Sequence, residues 1–282
     1  MTKTSFASKL CLALVFIFLY APMVVMMVFS FNGTESTYIF EGFSLQWYEK
    51  LFHDKATMDA LKNTVVLAVI SAAIATVLGT LASVGINSMR NKFVKSSVMT
   101  VTNIPMMNPE IVTGISMMLL FVFAGTLLSK KDVLGFGTIL IAHVTFQLPY
   151  VILSILPKLK QTDNRIFEAA QDLGCHPVKA FFKVVFPAIL PGIISGAIMA
   201  FTLSLDDFII SYFTNGPDFQ TLPIHIFSMT KKRVKPDMYA LSTLIFGAMF
   251  VLLILMNLAQ SRSDKKQRRK SIHIRLYAFL CH

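Results

Sequence analysis

The chain has 282 residues, of which 55% are hydrophobic and only 15% are charged. An average soluble domain has about 25% charged residues, so this composition excludes an ordinary soluble enzyme. The formal net charge of +11 can indicate a nucleic-acid partner, but almost all of the excess positive charge lies between long apolar stretches. The composition therefore predicts a protein that crosses a membrane several times and has no nucleic-acid partner.

Six stretches of the chain are long and apolar enough to cross a bilayer, which requires about 20 residues of helix. The predicted spans are residues 10–29, 64–86, 96–129, 133–157, 184–205 and 238–260. The third stretch is too long for one straight crossing and contains Pro105 and Pro109, so we expect a kinked or broken helix there. The first stretch could also be a secretory signal peptide, but its length and the lack of an A-x-A site after it favour a retained helix.

Basic residues are concentrated on one side of the predicted membrane, which sets the orientation of the spans. With the N-terminus in the cytoplasm, 17 basic and four acidic residues lie inside, whereas nine basic and ten acidic residues lie outside. The basic cluster at residues 231–235 opposes this assignment, but the other loops outweigh it. We expect both termini to be cytoplasmic, with a membrane domain over residues 1–260 and a basic tail over residues 261–282.

The predicted cytoplasmic segment between the fourth and fifth spans, residues 168–187, contains a motif with fixed spacing. Its members are Glu168, Ala169, Ala170, Gly174 and Pro187. Ala170 and Gly174 share one helical face and leave little bulk there, which suits contact with a partner. Gly174 can end a helix with a positive φ, and Pro187 fits the first turn of the next helix. This spacing resembles the EAA loop through which the permeases of ABC importers contact their ATPases.

Further segments resemble the PotC-like permease subunits of spermidine/putrescine importers, over roughly residues 5–260. These segments are Phe31-Asn32, Trp47-Tyr48, Met106–Val112, Ser204–Phe208, Ser211–Pro217 and Leu222-Pro223. The resemblance implies an all-α protein of the bacterial inner membrane, with six transmembrane helices in the MetI-like fold of type I importers. It also implies several partners besides membrane lipid: a second permease subunit (PotB-like), two ATP-binding subunits (PotA-like) and an extracytoplasmic polyamine-binding protein (PotD-like).

Sequence signatures of catalysis are missing from the chain. It contains no G-x-x-x-x-G-K-[ST] loop, so we expect it to have no ATPase activity of its own. ATP and Mg²⁺ would then bind to the partner ATPase subunits, and this chain would bind no cofactor. Three isolated cysteines and scattered histidines have no spacing that indicates a metal site, a disulfide framework or an enzyme nucleophile.

Three acidic residues are candidates for a substrate pathway. Glu110 lies inside the third span, where a charge costs roughly 2.5–3.5 kcal/mol and is a functional candidate by default. Asp206 and Asp207 end the fifth span at the outer face. Because neighbouring residues on a helix point about 100° apart, we expect one of them to face the pathway while the other caps a loop or pairs with a base.

Three further residues are weaker candidates for the same pathway. Ser204 belongs to the segment that carries the resemblance. Trp47, the only tryptophan, is either an interfacial anchor or a surface for an ammonium group. His143 lies inside the fourth span, where a packed, hydrogen-bonded side chain is the simpler interpretation.

The sign of the charges favours a cationic substrate. No lysine or arginine lies inside the predicted spans, whereas acids occur within one span and at the outer end of another. This pattern suits an organic polycation better than an anion. The EAA loop is equally compatible with another cationic solute, such as ferric ion. A standalone carrier or channel would predict inverted repeats, and no motif has a convincing second copy.

Overall fold

The computed structural model describes residues 6–34, 39–129, 133–162, 164–172, 174–231, 237–251 and 253–254. Within these residues the chain is helical, without strands, and an isolated β-bridge joins Asn32 to Phe43. The helices are α1 (Phe6–Phe29), α2 (Gln46–His53), α3 (Lys55–Ser88), α4 (Lys92–Met107), α5 (Glu110–Leu127), α6 (Phe136–Gln161), α7 (Asn164–Asp172), α8 (Pro177–Ala180), α9 (Phe186–Asp206), α10 (Ile209–Thr214), α11 (Leu222–Thr230) and α12 (Asp237–Val251). A π-helical turn, Phe181–Val185, joins α8 to α9.

Five helices among the described residues are long and apolar enough to cross a membrane. They are Ser8–Phe29, Lys55–Ser88, Glu110–Leu127, Phe136–Gln161 and the continuous helix Pro177–Asp206. The predicted sixth span contains α12, which is apolar but shorter, and residues 255–260 of that span lie outside the described residues. The predicted basic tail, residues 261–282, also lies outside them. The helical, membrane-spanning architecture predicted from the sequence is confirmed.

The third predicted span consists of two helices. α4 ends at Met107, Asn108 is extended with ψ 142°, and α5 begins at Glu110 directly after Pro109. Proline lacks an N–H and disfavours helical conformation at the residue before it, which explains why Asn108 leaves the helix. Pro105 lies inside α4 without ending it. Glu110 is therefore the first residue of a new helix, at a break in the apolar stretch.

Two compact units make up the chain, and the first contains Met1–Asp59 and His225–Leu252. In this unit, none of the residues in the apolar stretch of α1 is buried. The turn after α1 is held by Asn32, whose carbonyl accepts a hydrogen bond of 2.6 Å from Trp47 Nε1. The Phe31 ring stacks against Phe43 and Tyr48, with ring centroids 5.2 and 5.3 Å away. These contacts tie α2 to the end of α1.

The second unit contains Ala60–Ile224 and Leu253–His282, and its centre is the packing of α9 against α6. Gly192 and Gly196 lie four residues apart on the α9 face that contacts α6. A Cβ atom on Gly196 would be 3.3 Å from the Val151 Cα. Small residues let the two backbones approach closely, as is common between membrane helices. The buried side chains around this contact are Ala72, Ala75, Val151, Ile155, Leu159, Ile189 and Ala200.

Candidate functional site

An acidic cavity of about 310 Å³ lies in the second unit, at the junction of α9 and α10. Glu110 begins α5, Asp206 ends α9, and Asp207 links α9 to α10. The residues that line the cavity are Glu110, Phe146, Thr202, Leu203, Asp206, Asp207, Phe208 and Ile209. Three of them are carboxylates and none of these lining residues is basic. Walls of one charge sign focus the electrostatic field, so this cavity attracts cations.

The two adjacent aspartates in the cavity wall have different surroundings. Asp206 is exposed, whereas Asp207 is 8% exposed. The Asp207 carboxylate accepts hydrogen bonds from the Ser211 amide at 2.7 Å, the Ser211 hydroxyl at 2.8 Å and the Ile210 amide at 3.3 Å. These bonds cap the first turn of α10. Asp207 therefore holds the backbone, and Asp206 and Glu110 are the exposed carboxylates of the cavity.

His143 on α6 lies directly behind Asp207 and is 1% exposed. Its Nε2 atom is 2.9 Å from Ser211 Oγ and 3.4 Å from the Asp207 carboxylate. On the other side of the ring, Nδ1 is 2.8 Å from Ser204 Oγ. The imidazole therefore connects α6 to the end of α9 and to α10 through polar contacts inside an apolar core.

The contacts of His143 continue into α3. Ser204 Oγ is 3.2 Å from Ser71 Oγ, and Gln147 Nε2 donates to Ser71 Oγ at 3.0 Å. The six side chains form one connected set, which we call the buried polar chain: Gln147, Ser71, Ser204, His143, Ser211 and Asp207. Ser204, a predicted pathway residue, lies within it at 2% exposure. In this structure Ser204 supports the cavity from behind and does not line it.

Trp47, the remaining predicted pathway residue, lies in the first unit and is 5% exposed. Its indole nitrogen donates to the Asn32 carbonyl. The ammonium of Lys50 lies 5.5 Å from the centre of the Trp47 ring. The structure thus gives Trp47 a structural hydrogen bond and an internal cation–π contact.

The EAA-like segment, residues 168–187, begins inside α7 and leaves that helix through a glycine turn. Gly174 has a φ of +83°, its amide donates to the Gln171 carbonyl at 2.8 Å, and the Cys175 amide donates to the Ala170 carbonyl at 3.1 Å. This pair of bonds is the Schellman arrangement, which favours glycine at the left-handed position. Glu168, Ala169 and Gly174 are exposed, and Ala170 is half-buried.

Pro187 lies in the first turn of α9, but the chain is already helical from Pro177 onward. We expected the fifth span to begin near Val184; it is part of a longer continuous helix. In a regular α-helix the Pro187 ring would clash with the Lys183 carbonyl. The π-helical turn before it, in which the Phe186 amide donates to the Phe181 carbonyl, accommodates this proline.

The EAA-like segment and the start of α7 contain both buried contacts and exposed apolar side chains. Phe167 lines a cavity of about 130 Å³ together with residues of the π turn and the ends of α3 and α6, which are Val84, Asn87, Ser88, Leu159, Thr162, Phe181 and Val185. Ile166, Val178 and Phe182 are each more than half exposed. These three apolar side chains are open to contact from outside the chain.

A family model described as the binding-protein-dependent transport system inner membrane component matches residues 75–269. The match covers the acidic cavity, the buried polar chain except for Ser71, and the EAA-like segment. The chain belongs to this family. This permease is accordingly a multi-pass protein of the inner membrane.

Relatives of this permease include named polyamine transporters. The Putrescine transport system permease protein PotI of Escherichia coli K12 is 38% identical over 258 residues, which are 92% of each chain. The Spermidine/putrescine transport system permease protein PotC of Haemophilus influenzae is 36% identical over 250 residues, covering 89% of this permease and 95% of the relative. PotC of E. coli K12 is 34% identical over 240 residues, 85% and 88% of the two chains.

Solved structures show that the fold is that of ABC importer permeases. A chain of a bacterial ABC transporter that imports the acidic polysaccharide alginate superimposes with a TM-score of 0.72 at 16% identity, covering 92% of this permease and 94% of that chain. A chain of the MetNI methionine transporter, in an inward-facing conformation, gives 0.54 at 17% identity, covering 77% and 98%. The MetI-like fold expected from the sequence is confirmed.

Sequence reasoning singled out Ser204, His143 and Asp207 but missed Ser71, Gln147 and Ser211, although a signal for the buried polar chain was present. His143 and Gln147 are four residues apart on α6, so they lie on one face of that helix. Ser204, Asp207 and Ser211 have similar spacings at the end of the fifth predicted span and just beyond it. Polar residues at helical spacing in and beside two apolar stretches indicate that these parts of the chain contact each other.

Proposed function

We propose that this permease is the membrane subunit of an ATP-driven importer of polyamines such as putrescine and spermidine, and that it forms half of the translocation pathway. The observation that carries the proposal is the acidic cavity, in which Glu110 and Asp206 are exposed and the lining residues include no basic side chain. The names of its relatives, putrescine and spermidine/putrescine permeases, support the same substrate class.

The chemistry of the cavity suits an alkylammonium ion. An ammonium group that leaves water loses its hydration, and carboxylates offset that cost through charge-assisted hydrogen bonds. Phe146 and Phe208 add apolar and aromatic surface for the methylene segments between the charges. A polyamine, which alternates ammonium groups with methylene segments, matches such a mixed lining.

The EAA-like segment supplies the contact with the energy source in this proposal. Ala170 and Gly174 leave little bulk above α7, and the exposed Ile166, Val178 and Phe182 give an ATPase subunit an apolar surface to cover. In this arrangement ATP and Mg²⁺ bind to the two ATPase subunits, and the EAA-like segment and both termini lie in the cytoplasm. A second permease subunit completes the pathway, and an extracytoplasmic binding protein delivers the polyamine.

Uptake by cells that lack their own polyamine importers tests the proposal. The permease is expressed with its partner subunits, and initial uptake of labelled putrescine, spermidine and ferric ion is measured separately. We expect uptake of at least one polyamine that depends on this permease and on ATP, with no ferric ion uptake. Ferric ion uptake, or no polyamine uptake by a complex that assembles with its ATPase, would contradict the proposal.

A further inference from the structure

The donor and acceptor roles in the buried polar chain can be assigned from its acidic end. The Asp207 carboxylate only accepts, and it receives both the amide and the hydroxyl proton of Ser211. With its own proton used, Ser211 Oγ is left to accept, and its remaining partner is His143 Nε2. The network thus assigns a proton to His143 Nε2.

The hydrogen bonds on the Nδ1 side of His143 form the other half of the buried polar chain. A neutral imidazole with a proton on Nε2 accepts at Nδ1, and Ser204 is the donor placed there. Ser71 Oγ lies 3.2 Å from Ser204 Oγ and 3.3 Å from the Ala68 carbonyl oxygen, and it accepts from the Gln147 amide. The protons of Ser204, His143 Nε2 and Ser211 thus all point toward the Asp207 carboxylate, whereas Gln147 Oε1 has no hydrogen-bond partner among the described residues.

Asp207 is the more heavily bonded of the two adjacent aspartates. Its Oδ2 atom accepts both the amide and the hydroxyl proton of Ser211 and lies 3.4 Å from His143 Nε2, and its Oδ1 atom accepts the Ile210 amide proton at 3.3 Å. Its neighbour Asp206 is the residue whose carboxylate is exposed in the cavity. The backbone leaves the helix at Asp207, where it is extended with ψ 120°. The hydrogen bonds that hold Asp207 therefore determine where α9 ends and where Asp206 points.

We propose that His143 is a positioning residue for the acidic cavity: its Nε2–H holds Ser211 and Asp207, and through them it directs the Asp206 carboxylate toward the substrate ammonium. This inference rests on the proposed function, because it gives His143 a role in polyamine binding. The half of the ring that matters is the Nε2 side, since that side faces α10. The Nδ1 atom has Ser204 of α9 as its hydrogen-bond partner.

This asymmetry allows a test with two amide side chains. The amide nitrogen of glutamine reaches about as far from the backbone as Nε2, whereas that of asparagine reaches only about as far as Nδ1. His143→Gln can therefore donate to Ser211, and His143→Asn cannot. His143→Leu removes both contacts. Thr145→Val is the matched control on α6, because the Thr145 side chain is exposed and bonds only its own helix.

The measurement is putrescine uptake at limiting substrate, divided by the amount of permease that co-purifies with its ATPase. We expect His143→Leu and His143→Asn to lose about fivefold or more, because each variant leaves the buried Ser211 oxygen without its hydrogen-bond donor. His143→Gln should retain at least about a third of wild-type uptake, since it restores that one bond. Thr145→Val should match the wild type.

A double variant separates positioning through Asp207 from a general packing role. If His143 acts through Asp207, then in an Asp207→Asn background His143→Leu should lower uptake by less than about twofold further. Multiplication of the two single effects would overturn the inference, and so would equal rescue by asparagine and glutamine. A wild-type complex that assembles but takes up no polyamine would instead contradict the proposed function.

Discussion

Gly192 on α9 and Ser154 on α6 lie so close that a Cβ atom on Gly192 would be 2.9 Å from the Ser154 carbonyl oxygen. A backbone oxygen cannot move aside as the end of a flexible side chain can. We expect Gly192→Ala to separate α9 from α6 and to lower the free energy of unfolding by about 1–3 kcal/mol, as overpacking does elsewhere. The melting temperature of the purified permease complex measures this loss.

Gly247→Ala is the matched control for that prediction. Gly247 also lies inside an apolar helix, but a Cβ atom there would meet nothing within 4 Å. Alanine is the better helix former by about 1 kcal/mol, so this variant should melt at or above the wild-type temperature. Equal destabilisation by the two substitutions would show that close packing at Gly192 is not the cause.

Glu110→Gln and Asp206→Asn test the exposed carboxylates of the acidic cavity. Each change keeps the size of the side chain but removes its charge. Because a hydrogen bond to a charged group is worth roughly 1.5–3 kcal/mol, we expect uptake at limiting polyamine to fall about tenfold or more. Assembly with the ATPase should not change, since neither residue lies in the EAA-like segment. Asp218→Asn, on an exposed loop residue, is the control. Wild-type uptake in both cavity variants would remove the electrostatic argument for a polycationic substrate.

Gly174→Arg tests whether the EAA-like segment contacts the ATPase. A Cβ atom at position 174 would meet nothing within 4 Å in this chain, so we expect a defect to come from the positive φ or from a partner. Gly174→Asn separates these causes, because asparagine tolerates the left-handed conformation. We expect the arginine variant to reach the membrane but to lose the ATPase on co-purification, and the asparagine variant to keep it. Normal ATPase recovery with arginine would argue against docking at this surface.

The pair Asp54 and Thr57 at the start of α3 predicts a pH-dependent stability. The Thr57 hydroxyl donates to the Asp54 carboxylate and holds the pKa of Asp54 below its ordinary value, although partial burial opposes the shift. A lowered folded-state pKa stabilises the protein above the unfolded-state pKa, and this stabilisation is lost as the pH falls through the folded-state value.

Thr57→Val should therefore melt at a lower temperature than the wild type at pH 7, and the difference should shrink below about pH 4. Thr126→Val serves as the control, since the Thr126 hydroxyl bonds only the carbonyl one turn earlier in its own helix. If the difference in melting temperature between Thr57→Val and the wild type is the same at pH 7 and below about pH 4, its cause is packing and not the Asp54 carboxylate.

The sequence alone predicted the elements that depend on local chemistry. The length of the apolar stretches predicted the long helices. The position of Gly174 in its motif predicted a helix that ends with a positive φ. The roles of Asp206 and Asp207 could not be separated in this way. Which of two adjacent acids is buried depends on the residue at which α9 ends and on His143, which is 64 positions earlier in the chain. The hydrogen bond from Trp47 Nε1 to the Asn32 carbonyl is likewise a tertiary contact, with no sequence pattern that predicts it.

The π-helical turn Phe181–Val185 sets the rotation of α8 relative to α9 within one continuous helix. A π turn accommodates one residue more than an α turn, and each residue in a helix corresponds to about 100° of rotation. The side of the helix that α8 presents is therefore out of phase with α9 by that angle. Deleting one residue between Phe181 and Val185 would convert the turn to regular α-helix and rotate α8 about the axis of α9. One extra residue in the π turn thus determines which side of the helix α8 presents relative to α9.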